Sequence, residues 1–185
     1  LDVIDDPVAS RKNYDAMRAA GLDVLPTWHA LEPVELADAY AAEAPYLAVG
    51  GLASRARGGR VGKYVARVWP RIKHRHVHLF GVAASKVLMA FKPHSADMTG
   101  WLVGARFGEV YTLTRWPIVR NLDITRRSSD FNRHIALSLS AEMSRFGSSW
   151  RELSTSVEAR VRYNARLLLE FARRVNATST VAVMA

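Results

Sequence analysis

Residues 46–53 of this chain read YLAVGGLA, residues 76–83 read HVHLFGVA, and residues 94–112 read HSADMTGWLVGARFGEVYT. The first two segments are short apolar runs that end in small residues, which is typical of a buried strand ending at a ligand-facing loop. The third segment carries a lone acid, Asp97, between a polar His-Ser pair and the apolar-rich run 98–103. An acid at the end of a barrel strand is a candidate catalytic group.

Predicted strands and helices alternate up to Asp97, which favours parallel βα units. The predicted strands end near Asp5, Thr27, Gly50, Gly81 and Asp97. The predicted helices cover residues 10–20, 32–42, 63–69 (ended or disrupted by Pro70) and 85–91. Because a complete eight-unit barrel takes about 250 residues, five units predict an α/β fold that is the C-terminal part of a parallel (β/α) barrel of the TIM type. A doubly wound open sheet is the structural alternative.

The pattern changes after Thr112. Two helices are predicted over residues 130–146 and 150–175, with Gly147 ending the first and arginines interleaved in the second. We therefore expect three parts: a partial barrel domain over 1–122, a basic helical extension over 123–176, and a tail over 177–185.

The charge is unevenly placed along the 185 residues, whose net charge is +9. Residues 1–50 hold three basic and nine acidic residues, whereas the rest of the chain holds 23 basic and eight acidic ones. Such a basic region suits a nucleic-acid backbone, because each Lys or Arg contact releases counterions. A solvated basic surface is the simpler alternative.

The chain has no cysteine, which excludes disulfides and zinc sites built on thiolates and fits a reducing compartment. It contains no apolar run of the ~20 residues needed to cross a bilayer, and no signal peptide is recognisable. We therefore expect a cytoplasmic protein without a membrane partner.

Two acids, Asp5 and Asp97, each lie at the C-terminal end of a predicted strand. Strand ends of a parallel barrel converge on one mouth, so the two can share a pocket although they are far apart in sequence. A carboxylate there can attack a sugar carbon or accept hydrogen bonds from the edge of a purine. A helix cap or an ordinary loop acid is the structural alternative.

The pair Gly50-Gly51 closes another predicted strand. Glycines there let a flat ligand approach the backbone and leave N–H groups free to donate, although a tight βα turn would need them equally. His29 follows a third strand and either binds a ligand or is a satisfied polar residue.

Three alternating histidines, His74, His76 and His78, share one face if all lie in a strand. Three imidazoles on one face suggest a metal. They enter the strand from its N-terminal side, away from the usual active mouth, so we predict no metal site.

Six short motifs follow one another along the chain: Ile4-Asp5-Asp6, Thr27-Trp28-His29, Gly50-Gly51-Leu52-Ala53, Leu79-Phe80-Gly81-Val82-Ala83, Ser95-Ala96-Asp97-Met98 and Ala105-Arg106. Over residues 1–112 this order resembles the tRNA-guanine transglycosylase superfamily, the queuine tRNA-ribosyltransferases and their DNA-modifying relatives. That family runs Phe-Asp-Glu, Val-Gln-Gly, Gly-Gly-Leu-Ala, Leu-Met-Gly-Val-Gly and Gly-x-Asp-Met, and then Thr-Arg. Gly-Gly-Leu-Ala with Asp-Met at this separation carries most of the resemblance.

The resemblance implies that Asp97 is the nucleophile, which attacks C1′ of the ribose or deoxyribose, displaces guanine and forms a covalent glycosyl–enzyme. It implies that Asp5 holds the Watson–Crick edge of the base. The base pocket would be lined by Gly50, the Gly51 N–H and the Leu52 carbonyl. His29 falls near the base-reading glutamine of the family.

Arg106 would lie near the nucleic-acid backbone, together with Arg55 and Arg57 of the basic loop over 54–62. The reaction needs no cofactor and no catalytic metal. The implied partners are DNA or tRNA and a guanine or 7-deazaguanine base.

The chain departs from the family in several places. It lacks the three cysteines of the family's zinc site, it has Gly100 where the family has a second acid, and nothing in it matches the N-terminal barrel half. These departures favour a DNA-modifying branch that inserts a 7-deazaguanine-type base, with a homo-oligomer or a second chain completing the barrel. The alternatives are a non-catalytic nucleic-acid-binding subunit and a metal-dependent hydrolase that uses the histidines.

Overall fold

The computed structural model describes residues 3, 5–52, 60–82, 84–116, 118–124 and 129–181. The chain divides into two compact units, residues 1–98 and residues 99–185. The first unit ends at Met98, and the segment that follows Met98 packs with the C-terminal helices.

The first unit alternates helices and strands. Its elements are α1 (Pro7–Ala19), β1 (Thr27–His29), α2 (Val34–Glu43), β2 (Tyr46–Gly50), α3 (Val61–Ile72), β3 (His76–Leu79), α4 (Ser85–Phe91) and β4 (Ser95–Ala96). The four strands form one parallel sheet in the order β1-β2-β3-β4. The prediction of a mixed α/β fold built on a parallel sheet is confirmed.

The sheet and helices share one apolar core. Strand β2 is buried from Leu47 to Gly50 and carries no polar side chain on either face over these residues. This is the pattern of a parallel strand that is covered by helices on both sides. Helix α3 contributes Val65, Val68 and Ile72, which are fully buried and spaced three and four residues apart. Trp28 of β1 is fully buried, and its indole N–H donates to the Pro33 carbonyl at 3.0 Å.

The prediction of a strand that ends near Asp5 is wrong for the described residues of that segment, since Val3, Asp5 and Asp6 are not in a strand. Asp5 lies in a turn with φ of 63°, and the Asp6 side chain caps α1 by accepting from the Ala9 N–H at 2.9 Å. Pro7 then occupies the first helical position, where its missing N–H costs nothing. The cap and the proline start the helix at a point where the apolar pattern suggested a strand end.

Of the two outcomes predicted at Pro70, the end of the helix is not seen. Helix α3 continues through Pro70 to Ile72. Burial of Ile72 in the core keeps the last turn in place although Pro70 cannot donate a hydrogen bond there.

The second unit begins with a helix and a hairpin that the sequence did not suggest. Its elements are α5 (Gly100–Arg106), β5 (Glu109–Arg115), β6 (Ile118–Asp123), α6 (Ser129–Arg145), α7 (Trp150–Thr155) and α8 (Val157–Val181). Strands β5 and β6 pair antiparallel, and β5 packs against α5 and α8. Gly147 has a φ of 64° after α6, as expected for a glycine that ends a helix.

One helix was predicted over residues 150–175, but two are present. Helix α7 ends before Ser156, whose extended backbone breaks the run and whose hydroxyl accepts from the Ala159 N–H at 3.2 Å. Ser156 therefore caps α8, as serine commonly does at this position.

Buried polar side chains hold the second unit together. Asn164 of α8 accepts from the Tyr111 N–H at 2.9 Å and donates to the carbonyls of Trp101 and Glu109 at 3.3 and 3.2 Å. Arg160, also buried, donates to the carbonyls of Ala105 and Leu153, and burial lowers its pKa. Within the described part of the chain, no helix is long and apolar enough to cross a membrane.

Candidate active site

The carboxyl edge of the parallel sheet carries most of the predicted site residues of the first unit. All four strands run in the same direction, so His29, Gly50, Gly81 and Asp97 lie at or just past the same edge. Ligand sites of parallel α/β folds form at this edge. The sheet therefore places these residues where a site is expected.

Asp97 follows the last strand and lies on the surface of the first unit. Its side chain is 53% exposed, and its Oδ1 atom accepts a 2.7 Å hydrogen bond from the Gly81 N–H. Its own N–H donates to the Leu79 carbonyl at 3.3 Å, which anchors it to β3. Gly81 has a φ of 68°, a conformation that suits glycine and turns its N–H toward the carboxylate.

A chain of polar side chains runs across the sheet to Asp97. The Tyr46 hydroxyl lies 2.6 Å from Ser95 Oγ, and Ser95 Oγ lies 2.7 Å from His78 Nδ1. The other ring nitrogen of His78, Nε2, lies 3.5 Å from Asp97 Oδ1. That nitrogen is buried and makes no hydrogen bond with any described residue.

Sequence reasoning missed Tyr46 and Ser95, because their roles depend on which strands lie side by side. The strand registers pair Tyr46 with His76 and His78 with Ser95. Side-chain alternation within one strand shows which residues of that strand share a face. It does not show which residue of the next strand lies beside them.

A second group of residues lies at the ends of β1 and β2. His29 pairs with Gly50 in the sheet, and its ring lies over that glycine. Glu32 holds His29 twice: Oε2 accepts from the His29 N–H at 2.7 Å, and Oε1 lies 3.4 Å from ring atom Nδ1. Gly51 follows with a φ of 70°, and the Leu52 side chain is fully buried.

Asp5 does not lie at a strand end. It is exposed in the turn before α1, so its predicted position in a barrel mouth lacks the strand on which that prediction depended.

The predicted backbone contacts fall in different parts of the chain. Arg106 is exposed at the end of α5 in the second unit. Arg55 and Arg57 lie outside the described residues.

Helix α3 carries a cationic surface that the sequence analysis did not single out. Lys63 and Arg67 are exposed on it, on the side away from its buried residues, and within the described segments neither forms an ion pair. Arg71, one turn further on, is paired with Asp38. Helix α3 connects the parallel strands β2 and β3, so it runs in the opposite direction to them. Its first turn therefore lies on the side of the carboxyl edge.

The three alternating histidines do not act together. His76 and His78 lie in β3, whereas His74 lies in the turn before it. The His76 ring packs against His94, 4.3 Å between centroids, and His78 is engaged by Ser95. The described residues contain no group of three imidazole or carboxylate side chains that could hold a metal.

No family model matches the chain, and a search of curated proteins finds no match.

Proposed function

We propose that this chain is a base-exchange transglycosylase that replaces guanine in nucleic acid by a 7-deazaguanine-type base, with DNA favoured over tRNA. The observation that carries the proposal is the half-exposed carboxylate of Asp97 at the carboxyl edge of a parallel sheet, with one oxygen on the Gly81 N–H. The motif order that resembles the guanine transglycosylases supports it. We propose further that the first unit is part of a (β/α) barrel, since its four strands follow one another without a reversal of order.

The exchange divides into two displacements at one carbon. A carboxylate oxygen of Asp97 attacks C1′, and the bond from C1′ to N9 of guanine breaks with its electron pair leaving on N9, which takes a proton from water. The incoming base gives up the proton on its own N9 to the hydroxide left by that step and attacks C1′, which breaks the bond to Asp97 and releases the carboxylate. The proton balance closes and no oxidant is needed. The sugar carbon passes through an oxocarbenium-like transition state, which an adjacent carboxylate stabilises.

The end of β1 and β2 suits the base. The Glu32 carboxylate contacts both the backbone N–H and the ring Nδ1 of His29, which restrains the ring beside Gly50. The backbone of Gly51 and Leu52 would line the side of the pocket that receives the base.

The cationic surface of α3 suits the phosphate backbone. In the second unit, the exposed Arg106 would make a separate backbone contact. A base in a duplex must also leave the stack before a nucleophile can reach C1′, at a cost of a few kcal/mol. Backbone contacts hold the strand during that step.

The second candidate is a nucleic-acid-binding subunit without activity of its own. It is favoured by the small number of strands: the described sheet has four, whereas a closed barrel of this type has about eight. A second copy or another chain would then complete the barrel.

The deciding experiment measures incorporation of labelled guanine into duplex DNA and into tRNA, side by side, for the wild type and Asp97→Ala. We expect label to enter DNA with the wild type and to be lost with Asp97→Ala, while nucleic-acid affinity changes little. Exchange that survives in Asp97→Ala would contradict the assignment of the nucleophile. Binding by the wild type without label in either polymer would favour the subunit role.

A further inference from the structure

Resting on the proposed transglycosylase function, we infer that His78 is a positioning residue that holds Oδ1 of Asp97 through its Nε2–H, with Ser95 and Tyr46 setting its tautomer. The inference goes beyond the motif resemblance, because it depends on contacts between strands β2, β3 and β4.

The buried Nε2 atom of His78 is the first observation. It makes no hydrogen bond within the described part of the chain, although buried polar atoms are nearly always paired. Oδ1 of Asp97 lies 3.5 Å away. Hydrogen bonds at catalytic groups are often long in the unliganded state and shorten when substrate binds. A small movement of the Asp97 side chain would close this contact.

The two short contacts of Ser95, with His78 and with Tyr46, are the second observation, and the chemistry of Asp97 sets their directions. An ionised carboxylate only accepts, so the ring nitrogen that faces it must carry the proton. A neutral imidazole with Nε2–H has a lone pair on Nδ1, which accepts from the Ser95 hydroxyl at 2.7 Å. Ser95 Oγ in turn accepts from the Tyr46 hydroxyl at 2.6 Å. Every donor then points toward Asp97, and successive bonds in such a chain strengthen one another.

The arrangement selects one oxygen of Asp97 for the reaction. Both the Gly81 N–H and His78 Nε2 face Oδ1, so Oδ2 is the oxygen presented to C1′. Ser95, His78 and Asp97 also contain the residue types of a hydrolytic triad. Here, however, the Ser95 hydroxyl is half-buried and held from both sides, whereas the carboxylate is the exposed end. The geometry therefore makes the carboxylate the nucleophile.

Three substitutions at His78 test the role. His78→Phe keeps the ring and removes both nitrogens. The amide nitrogen of His78→Gln reaches the position of Nε2, and that of His78→Asn reaches only the position of Nδ1. We expect His78→Phe and His78→Asn to lower kcat for exchange by up to about a hundredfold, because a reacting group that is no longer held in position can cost that much, with KM for nucleic acid unchanged. His78→Gln should recover most of the rate.

The kinetic outcomes separate the two proposals. Full activity in His78→Phe beside an active wild type would overturn the positioning role alone. A wild type that exchanges no base on DNA or tRNA would overturn the transglycosylase function and this role with it. Equal losses in His78→Gln and His78→Asn would show that shape rather than the Nε2 donor matters, which also overturns the role.

A second measurement needs neither substrate nor variant. The nitrogen chemical shifts of His78 in ¹⁵N-labelled wild-type protein report which ring nitrogen carries the proton. We expect protonated Nε2 and unprotonated Nδ1. A ring protonated only on Nδ1 would reverse the hydrogen-bond chain and overturn the inference.

Discussion

The imidazole of His29 fills the space that a side chain at Gly50, on the neighbouring strand, would need. A Cβ at position 50 would come within 2.9 Å of His29 Cδ2 and 3.0 Å of the Thr27 methyl group. Glycine at position 50 is therefore required by close approach of a side chain rather than by a special backbone angle. The two positions of the Gly-Gly pair therefore need glycine for different reasons, because Gly51 has a positive φ and Gly50 does not.

Gly50→Ala should destabilise the protein by about 1–3 kcal/mol, since an added methyl group overpacks the site and displaces the His29 ring. Thermal unfolding measures the loss. The double variant His29→Ala/Gly50→Ala should recover part of it, because Thr27 still obstructs the methyl group. Gly62→Ala is a matched control, because Gly62 lies within helix α3 and its added Cβ would meet the Val87 side chain at an ordinary 3.6 Å. This substitution should stabilise the protein by about 0.5–1 kcal/mol.

Lys63 and Arg67 should contribute to nucleic-acid binding through charge alone. Replacing both by Gln should lower the salt dependence of binding, the slope of log K against log[salt], by up to about two units if both contact phosphates. Fluorescence anisotropy with duplex DNA at several salt concentrations measures the slope. Arg71→Gln on the same helix is the control, because Asp38 already compensates that charge. An unchanged slope in the double variant would place the nucleic acid elsewhere.

Asn164→Asp should destabilise the second unit by roughly 3 kcal/mol, because a buried carboxylate cannot donate to the Trp101 and Glu109 carbonyls. Chemical denaturation followed by circular dichroism gives the free energy of unfolding. The same change at Asn176, which is exposed on the same helix, should have little effect. Equal stability of both variants would contradict the role of Asn164 as the polar link between α8 and β5.

Glu170 should make stability depend on pH. Its carboxylate accepts from Arg174 at 2.9 Å and is also paired with Arg145, and these hydrogen bonds lower its pKa. Because the pKa is lower in the folded state, ionised Glu170 stabilises the protein above its unfolded-state pKa of about 4.3. This stabilisation is lost as the pH falls through the folded-state pKa. Glu170→Gln should therefore lower Tm at pH 7.

The difference in Tm between Glu170→Gln and the wild type should shrink steadily below about pH 4. Glu158→Gln, which removes an exposed pair with Arg162 on the same helix, should change Tm little at any pH. A Tm difference for Glu170→Gln that is constant from pH 7 to pH 3 would contradict the ionic origin of the effect.

The sequence alone predicted the parallel βα arrangement of the first unit and a position for Asp97 at the C-terminal end of a strand. Both depend on local signals: apolar runs such as 46–50, and turn residues such as Gly50, Gly51 and Gly81 that follow them. The same signals failed at Asp5, where a helix cap and a proline outweighed a short apolar run. They also failed at Pro70, where burial of Ile72 held the helix together.

Only the tertiary structure brought Tyr46, Ser95 and His78 to Asp97, paired His29 with Gly50, and joined Asn164 to the β5–β6 hairpin. Side-chain alternation assigns a residue to a face of its strand, but lateral register and packing join residues that are far apart in the chain. Tyr46 and Ser95 are 49 residues apart, and Tyr111 and Asn164 are 53 apart. Contacts over such separations leave no periodic signal in one sequence, so the Asp97 carboxylate was predictable and the side chains that surround it were not.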